Sequence, residues 1–130
     1  MNLFDAIFKQ DSIDHTAILY EQRRVSYAEL RDQTLAVARV LSILSVGRGD
    51  RVALLLNDSP EFIAAFIAIC SYGAIAVPIN MALRPDEQRA ILNDCSASLA
   101  IAEEDLSSTM LMDATKISVR FFMFLLHEKG

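Results

Sequence analysis

Apolar residues follow strand-like and helix-like patterns in alternation along the chain. Two short runs, Ala17–Tyr20 and Arg24–Val25, lie on either side of a polar turn, so we predict a hairpin here. After the hairpin, apolar residues recur at three- and four-residue spacing, which is typical of an amphipathic helix with one buried stripe. The stripe consists of Tyr27, Leu30, Thr34, Val37, Leu41 and Leu44.

The ends of this helix carry their own signals. Ser26 and Glu29 have the spacing of a capping box, in which each side chain accepts a hydrogen bond from the other residue's backbone amide. Gly47 follows the last residue of the stripe. We therefore predict that Gly47 is the left-handed residue that ends the helix.

Residues Phe62–Ile79 contain no charged side chain, which raises the question of a membrane span. Ser59 and Pro60, just before them, are a helix start signal with Ser59 as the N-cap. Gly73 and Pro78 divide the segment into a helix and a short strand, whereas a spanning helix needs about twenty continuous apolar residues. We predict a helix buried on all sides, then a buried strand, and no membrane span.

The rest of the chain continues the alternation of strands and helices. We predict strands at 51–56, 74–79, 98–105 and 117–125, a helix at 84–97 and a weaker helix at 106–116. This order is typical of parallel strands joined by helices. The predicted fold class is α/β, with three layers in which a mainly parallel sheet is flanked by helices.

Composition narrows the class of protein. A chain of 130 residues is long enough for one domain, and its net charge of −5 argues against a nucleic-acid partner, which would need clustered Lys and Arg. Cys70 and Cys95 lie in apolar or helical patterns, so we interpret them as reduced core thiols. The N-terminus has neither a basic start nor an uninterrupted apolar run, so we predict no signal peptide and a cytoplasmic protein.

Candidate chemistry is sparse. Residues 47–49 lack the third glycine of a dinucleotide-binding loop, and we interpret them as a turn. His15 and His127 have no neighbours at metal-ligand spacing, and Ser59 lacks the G-x-S-x-G motif of a nucleophilic serine. The acids Glu103–Asp105 fit a strand end and a helix cap better than a catalytic pair. We therefore predict no catalytic, cofactor-binding or metal-binding residue in this chain.

Four stretches of the sequence, in order, resemble motifs of the adenylate-forming superfamily, specifically of acyl-CoA synthetases. Those enzymes carry G-D-R-V-A-L, then N-S-P-E-F before an apolar helix, then G-A-[IV]-x-V-P-[IL]-N, then L-x-P-E-E-L-x-x-I-L. The matching residues are Gly49–Leu54, Asn57 with Ser59–Phe62, Gly73–Asn80 and Leu83–Leu92. The resemblance covers about residues 3 to 105. Arg84 departs from it where Thr or Ser usually caps the helix, which should weaken that cap by about 1 kcal/mol.

The resemblance implies a two-step reaction of a whole enzyme. A carboxylate attacks the α-phosphorus of Mg-ATP, and a thiol, usually CoA, then displaces AMP from the acyl-adenylate. The family's motifs for this chemistry are a Ser/Thr/Gly-rich loop ending in Lys, an aromatic-Thr-Glu motif, a ribose-binding Asp and a Lys of a C-terminal domain. None of them occurs in these 130 residues. We therefore expect residues 1–130 to be a partial N-terminal subdomain, inactive alone and binding no ATP, Mg or CoA.

Three alternatives stay open at this point. They are a stand-alone interaction module derived from the same fold, an adenylation domain of a peptide synthetase, and an unrelated flavodoxin-like regulatory domain. Asn80 favours the CoA ligases, because peptide synthetases usually have Asp there. The resemblance implies the downstream part of the same enzyme as partner. Without that part an apolar face would be exposed, so we also expect a homodimer, with residues 117–126 in the face. The activated acid, and the choice between CoA and a carrier-protein thiol, are not specified.

Overall fold

A computed structural model of the chain describes residues 2–9, 13–103 and 120–124, the last of these as backbone. The chain divides into two compact units that alternate along the sequence. The helical unit comprises Met1–Arg48 and Asp58–Ala74. The sheet unit comprises Gly49–Asn57 and Ile75–Gly130.

The described residues of the helical unit form a hairpin and three helices. Its elements are helix α1 (Leu3–Ile7), strand β1 (Thr16–Tyr20), strand β2 (Arg23–Ser26), helix α2 (Tyr27–Ile43) and helix α3 (Pro60–Tyr72). β1 and β2 pair antiparallel, which confirms the predicted hairpin. Val25 and Leu30 pack with Ala64 and Ile67 of α3 in the core of this unit.

Helix α2 begins as the sequence predicts. The Glu29 amide donates to Ser26 Oγ at 3.1 Å, and the Ser26 amide donates to Glu29 Oε1 at 2.8 Å, so the capping box is confirmed. The middle of the predicted stripe is also confirmed as the buried side. Its buried residues are Leu30, Thr34, Val37 and Leu41.

The end of α2 differs from the prediction. Leu44 is the C-cap, and Ser45 has the left-handed conformation with φ 59°. The Val46 amide donates to Leu41 O at 3.0 Å and the Ser45 amide donates to Ser42 O at 3.1 Å, the two bonds of a Schellman motif. The prediction that Gly47 is the left-handed residue is therefore wrong. The helix stops earlier, and Ser45 takes that conformation although its Cβ makes it costlier than in glycine.

In its described residues, the sheet unit has four parallel strands. Its elements are strand β3 (Arg51–Leu55), strand β4 (Ile75–Pro78), helix α4 (Pro85–Asp94), strand β5 (Leu99–Glu103) and strand β6 (Arg120–Phe124). The strand order is β4-β3-β5-β6, and every neighbouring pair is parallel. In the register, Val52 of β3 lies opposite Ala76 of β4 and Leu99 of β5. The α/β class with a mainly parallel sheet is confirmed.

Helix α4 packs on this sheet through a small apolar cluster. Leu92 is fully buried and packs with Leu55 of β3 and with Ala100 and Ala102 of β5. Small residues on the strands let the helix approach the sheet closely. The predicted helix at 106–116 lies outside the described residues, while β6 confirms a strand within 117–125.

The uncharged segment folds as a helix followed by a strand. α3 starts at Pro60, with Ser59 Oγ accepting from the Phe62 amide at 3.2 Å, and ends at Gly73, whose φ is 94°. β4 then continues the chain. Within the described part of the chain, no helix is long and apolar enough to span a membrane. The predicted division at Gly73 is confirmed.

Two predictions about the burial of this segment are wrong. Ile63 and Phe66 are 37% and 36% exposed, and Cys70 is exposed as well. Positions three and four apart lie on one side of a helix, so these residues form an exposed line, which we call the α3 stripe. In β4, Ile75 is 47% exposed. β4 has a neighbour on one side, β3, in the described sheet, which explains why it is less buried than β3 and β5.

Candidate functional site

The carboxyl ends of β3 and β5 form the first place to look for a site. β4 lies on one side of β3 and β5 on the other, so the strand order reverses here, and ligands of parallel sheets usually bind outside such a point. Glu103 ends β5 and is buried. Its carboxylate accepts from the Asn57 amide at 2.7 Å and from Asn57 Nδ2 at 3.1 Å. The carboxylate is thus bonded within the chain, and its negative charge would repel a phosphate.

The loop after β4 is held by a buried glutamine of α4. Gln88 is 1% exposed, and its Nε2 donates to Asn80 O at 3.3 Å. Asn80 Oδ1 accepts from the Ala82 amide at 2.9 Å, which fixes the turn. Among the described residues, Gln88 Oε1 has no hydrogen-bond partner. Gln88 stands where the acyl-CoA synthetase motif has Leu, so this buried amide is a departure of this chain from the motif.

The start of α4 agrees with the expectation of a weak cap. The side chain of Arg84, the N-cap residue, makes no capping hydrogen bond. A guanidinium has no acceptor atom, so only the Glu87 half of the capping box forms, with the Arg84 amide donating to Glu87 Oε1 at 3.0 Å. Arg84 Nε also lies 3.3 Å from Asp86 Oδ1, on the exposed surface.

A partly buried ion pair joins the hairpin to α3 within the helical unit. Glu61, in the first turn of α3, is 3% exposed, and its Oε2 accepts from Arg23 Nη2 at 3.2 Å. The carboxylate lies in the first turn of α3, where a negative side chain interacts favourably with the helix dipole. The Arg23 guanidinium carbon lies 5.9 Å from the centre of the Tyr20 ring. We therefore interpret the Arg23–Glu61 pair as a structural contact between the hairpin and α3.

The cysteines and histidines form no reactive cluster in the described structure. Both cysteines are free, as predicted, but the prediction that Cys70 is a core thiol is wrong because it is exposed on α3. Partial burial of its sulfur raises the pKa of the Cys70 thiol. Cys95 is half-buried beside the core of the sheet unit. His15 is exposed, and His127 lies outside the described residues.

The remaining residues of interest take structural positions. Gly49 has φ 81° in a turn, which confirms the interpretation of residues 47–49. Ser59 caps α3, and Glu103 ends a strand as predicted, while Glu104 and Asp105 lie outside the described residues.

The donor set does not fit Mg-ATP. Within residues 2–9, 13–103 and 120–124, no three His, Cys, Asp or Glu side chains come together as a metal-binding group. At the reversal of strand order, the buried Glu103 carboxylate and the Asn57 side-chain amide bond to each other. We therefore derive no step of an ATP-dependent reaction from these residues.

Sequence reasoning missed the polar contacts that hold the fold. Arg23 and Glu61 are 38 positions apart, and Asn57 and Glu103 are 46 positions apart, so no local spacing could reveal either pair. The burial of Gln88 had a signal, because its position falls on the apolar side of the α4 pattern that also contains Leu92.

Comparisons with known proteins place this structure in a family. The family model described as "AMP-binding enzyme" matches residues 4–124. A 3-hydroxybenzoate–CoA ligase of Aromatoleum sp. (strain CIB) is 32% identical over 111 residues, covering 82% of this chain and 21% of that protein. A crotonobetaine/carnitine–CoA ligase of Salmonella typhi is 38% identical over 93 residues, covering 68% of this chain and 18% of that protein.

A solved structure agrees with the sequence matches. The anthranilate CoA ligase AuaEII, in complex with anthranoyl-AMP, superimposes with a TM-score of 0.86 at 26% identity, covering 97% of this chain and 25% of that one. The chain spans about a fifth of the length of the curated relatives it matches. Taken with the parallel sheet and the motif order, the match over residues 4–124 means that the chain belongs to the AMP-binding enzyme family.

Proposed function

We propose that this chain is part of an ATP-dependent carboxylate–CoA ligase, which forms an acyl-adenylate and then a thioester. The observation that carries the proposal is the family match over residues 4–124, together with curated relatives that are CoA ligases. Asn80 supports a CoA ligase over a peptide-synthetase adenylation domain, which usually has Asp there. In the whole enzyme, ATP and CoA would then be substrates and Mg the metal cofactor. We also propose that the enzyme is cytoplasmic.

The role that we assign to residues 1–130 is that of a framework, as a partial N-terminal subdomain. Two carboxylates at buried positions are already hydrogen-bonded within the chain: Glu103 accepts from Asn57, and Glu61 accepts from Arg23. This supports a structural role for both. Phosphate binding, metal binding and thioester formation then belong to the downstream part of the enzyme, which is also the expected partner. On this proposal the chain alone has no ligase activity.

Isothermal titration of the 130-residue chain with ATP, AMP and CoA tests this assignment. We expect no heat of binding for any of the three at concentrations up to about 1 mM. The control is the same titration on a longer polypeptide that continues through a Gly-rich phosphate loop, which should bind ATP. Micromolar binding to the short chain would overturn the framework role, and a longer reading frame without such a loop would overturn the ligase proposal.

The second candidate, a stand-alone interaction module, is favoured by the exposed α3 stripe. Ile63, Phe66 and Cys70 form an apolar line that a partner would cover, and Leu19 and Ile43 are further exposed apolar side chains. A homodimer is the form of this candidate that can be tested without an unknown partner. Analytical ultracentrifugation should detect a dimer that the Phe66→Glu variant abolishes. A monomer at high concentration in both proteins would contradict it.

A further inference from the structure

The outer edge of β4 carries a feature that is separate from the ligase proposal. β4 lies at one end of the described strand order β4-β3-β5-β6, and Ile75, its first residue, is 47% exposed. A strand at the edge of a sheet presents backbone N–H and C=O groups to which a strand of another chain can bond. The outer edge of β4 is therefore a place where two copies of the chain could join their sheets.

The hydrogen bonds to β3 show which residues of β4 face that edge. The Ile75 amide donates to Asp50 O at 2.8 Å, and the Ile79 amide donates to Leu54 O at 2.9 Å. In a parallel ladder, every second residue of a strand bonds to the same neighbouring strand. The odd-numbered residues of this segment thus face β3, and the even-numbered residues direct their backbone groups outward.

One of the two outward-facing residues of β4 is a proline. Ala76 directs an N–H and a C=O away from β3, whereas Pro78 has a C=O but no N–H. Pro78 is exposed, and its ring occupies the space in which an N–H would meet a partner strand. Proline in a sheet is confined to positions whose nitrogen is turned away from the ladder, and Pro78 meets this condition. It costs the sheet no bond to β3, but it removes a donor from the free edge.

The loss can be followed in the pairing of two β4 strands from two copies. In an antiparallel pair, Ala76 of each copy would lie opposite residue 78 of the other. Opposite residues of the hydrogen-bonded type exchange two N–H···O bonds, one from each amide. With proline at position 78, each such pair of residues keeps only the bond donated by Ala76. We infer that Pro78 closes the outer edge of β4 and prevents it from pairing with β4 of a second copy.

Hydrogen exchange followed by NMR tests whether the edge is free in the 130-residue chain. The Val77 amide faces β3, so it should exchange at least about tenfold more slowly than the outward-facing Ala76 amide. This ratio should be the same at the lowest and the highest protein concentration that NMR allows. Equally slow exchange of the two amides would mean that the edge is already paired, and would overturn the inference.

Restoring the donor should make the edge associate. Pro78→Val adds an N–H while keeping an apolar side chain, and it is measured in the Phe66→Glu background so that the α3 stripe does not contribute. Analytical ultracentrifugation should show self-association at least about tenfold tighter than that of the background protein. The amides at positions 76 and 78 should then exchange more slowly as the protein concentration rises.

Pro85→Ala in the same background is the matched control. It removes another exposed proline of the sheet unit, at the first position of α4, and should leave the association unchanged. Slow exchange of the buried Ala53 amide of β3 reports that each variant is folded. A folded Pro78→Val protein that associates no more tightly than the Pro85→Ala protein would overturn the inference. If Pro78→Val does not fold, the comparison of Ala76 with Val77 decides alone.

Discussion

Strand β5 and helix α3 are both strongly apolar, but β5 is completely buried whereas one side of α3 is exposed to solvent. All five residues of β5 are buried, including Glu103. α3 buries Ala64, Ile67 and Ala68 but leaves the α3 stripe, at Ile63, Phe66 and Cys70, exposed. β5 lies between β3 and β6, so neighbours flank it on both sides within its sheet.

Hydropathy therefore indicates how much apolar surface a segment can bury, but not which elements cover that surface. A central strand of a parallel sheet is apolar because both of its faces need cover. A helix that is apolar all round signals a second partner for the face that its own unit leaves free. In this chain that face is the α3 stripe, and we propose that a partner covers it.

Truncating one side chain from each element gives the largest expected contrast. Ile101→Ala in β5 removes a fully buried side chain and should lower the free energy of unfolding by about 3 kcal/mol. Ile63→Ala in the α3 stripe should cost less than about 1.5 kcal/mol, because part of that side chain already meets water. Urea denaturation followed by circular dichroism measures both. Equal losses would show that the stripe is as well packed as the strand.

The contribution of the Arg23–Glu61 ion pair to stability can be measured at the start of α3. Removing the Arg23 guanidinium should leave Glu61 buried without its partner, and Arg23→Ala should cost about 1–2 kcal/mol, less than a fully buried pair because Arg23 is partly exposed. In the Glu61→Gln background the same change should cost less. A double-mutant cycle in urea denaturation gives the coupling free energy, and a coupling of zero would contradict a role of this pair in holding α3.

One substitution in helix α4 should increase the free energy of unfolding. Gln88→Leu removes a buried amide whose Oε1 lacks a partner, and we expect a gain of about 1 kcal/mol. The gain is the net of a removed desolvation cost and the lost bond to Asn80 O. Gln33→Leu on α2, where Oε1 is also buried without a partner, is the matched variant in the helical unit. A loss of stability for Gln88→Leu would mean that its bond to the loop outweighs the unpaired oxygen.

The smallest expected effect concerns the reactivity of the two thiols. In Cys95→Ser protein, Cys70 should react with iodoacetamide in the folded state, because it is exposed on the α3 stripe. Partial burial of its sulfur raises the pKa of the Cys70 thiol, so a smaller fraction is thiolate at neutral pH. Alkylation should therefore be slower than that of a fully solvated cysteine, and should speed up as the pH rises past the ordinary cysteine pKa. Cys70→Ser protein, which keeps the half-buried Cys95, is the control. Protection of Cys70 that is lost on dilution would point to a dimer that covers the stripe.

The sequence was informative wherever a local rule decides the structure. The capping box at Ser26, the start of α3 at Ser59 and its end at Gly73 depend on neighbouring residues and were predicted correctly. The left-handed residue after α2 was placed wrongly at Gly47. The left-handed conformation is easiest for glycine, but Ser45 adopts it here. Burial was predicted least well, since the exposure of Ile63 and Ile75 depends on which elements are their neighbours in space.

The candidate site shows the same division. The family motifs could be read from the sequence because they are ordered strings of adjacent residues. The long-range contacts could not be read from the sequence. Asn57 bonds to Glu103 at the carboxyl ends of β3 and β5, and Arg23 bonds to Glu61 between the hairpin and α3, and both pairs meet only after folding.

The fold depends on how the uncharged segment divides into a helix that ends at Gly73 and a strand that joins a parallel sheet. Backbone NMR assignment with measurement of nuclear Overhauser effects can establish this division. We expect a left-handed Gly73 and cross-strand contacts that pair Val52 with Ala76 and with Leu99. Sequential helical contacts running without a break from Phe62 to Ile79 would contradict it, and the assignment to the AMP-binding enzyme fold would fall with it.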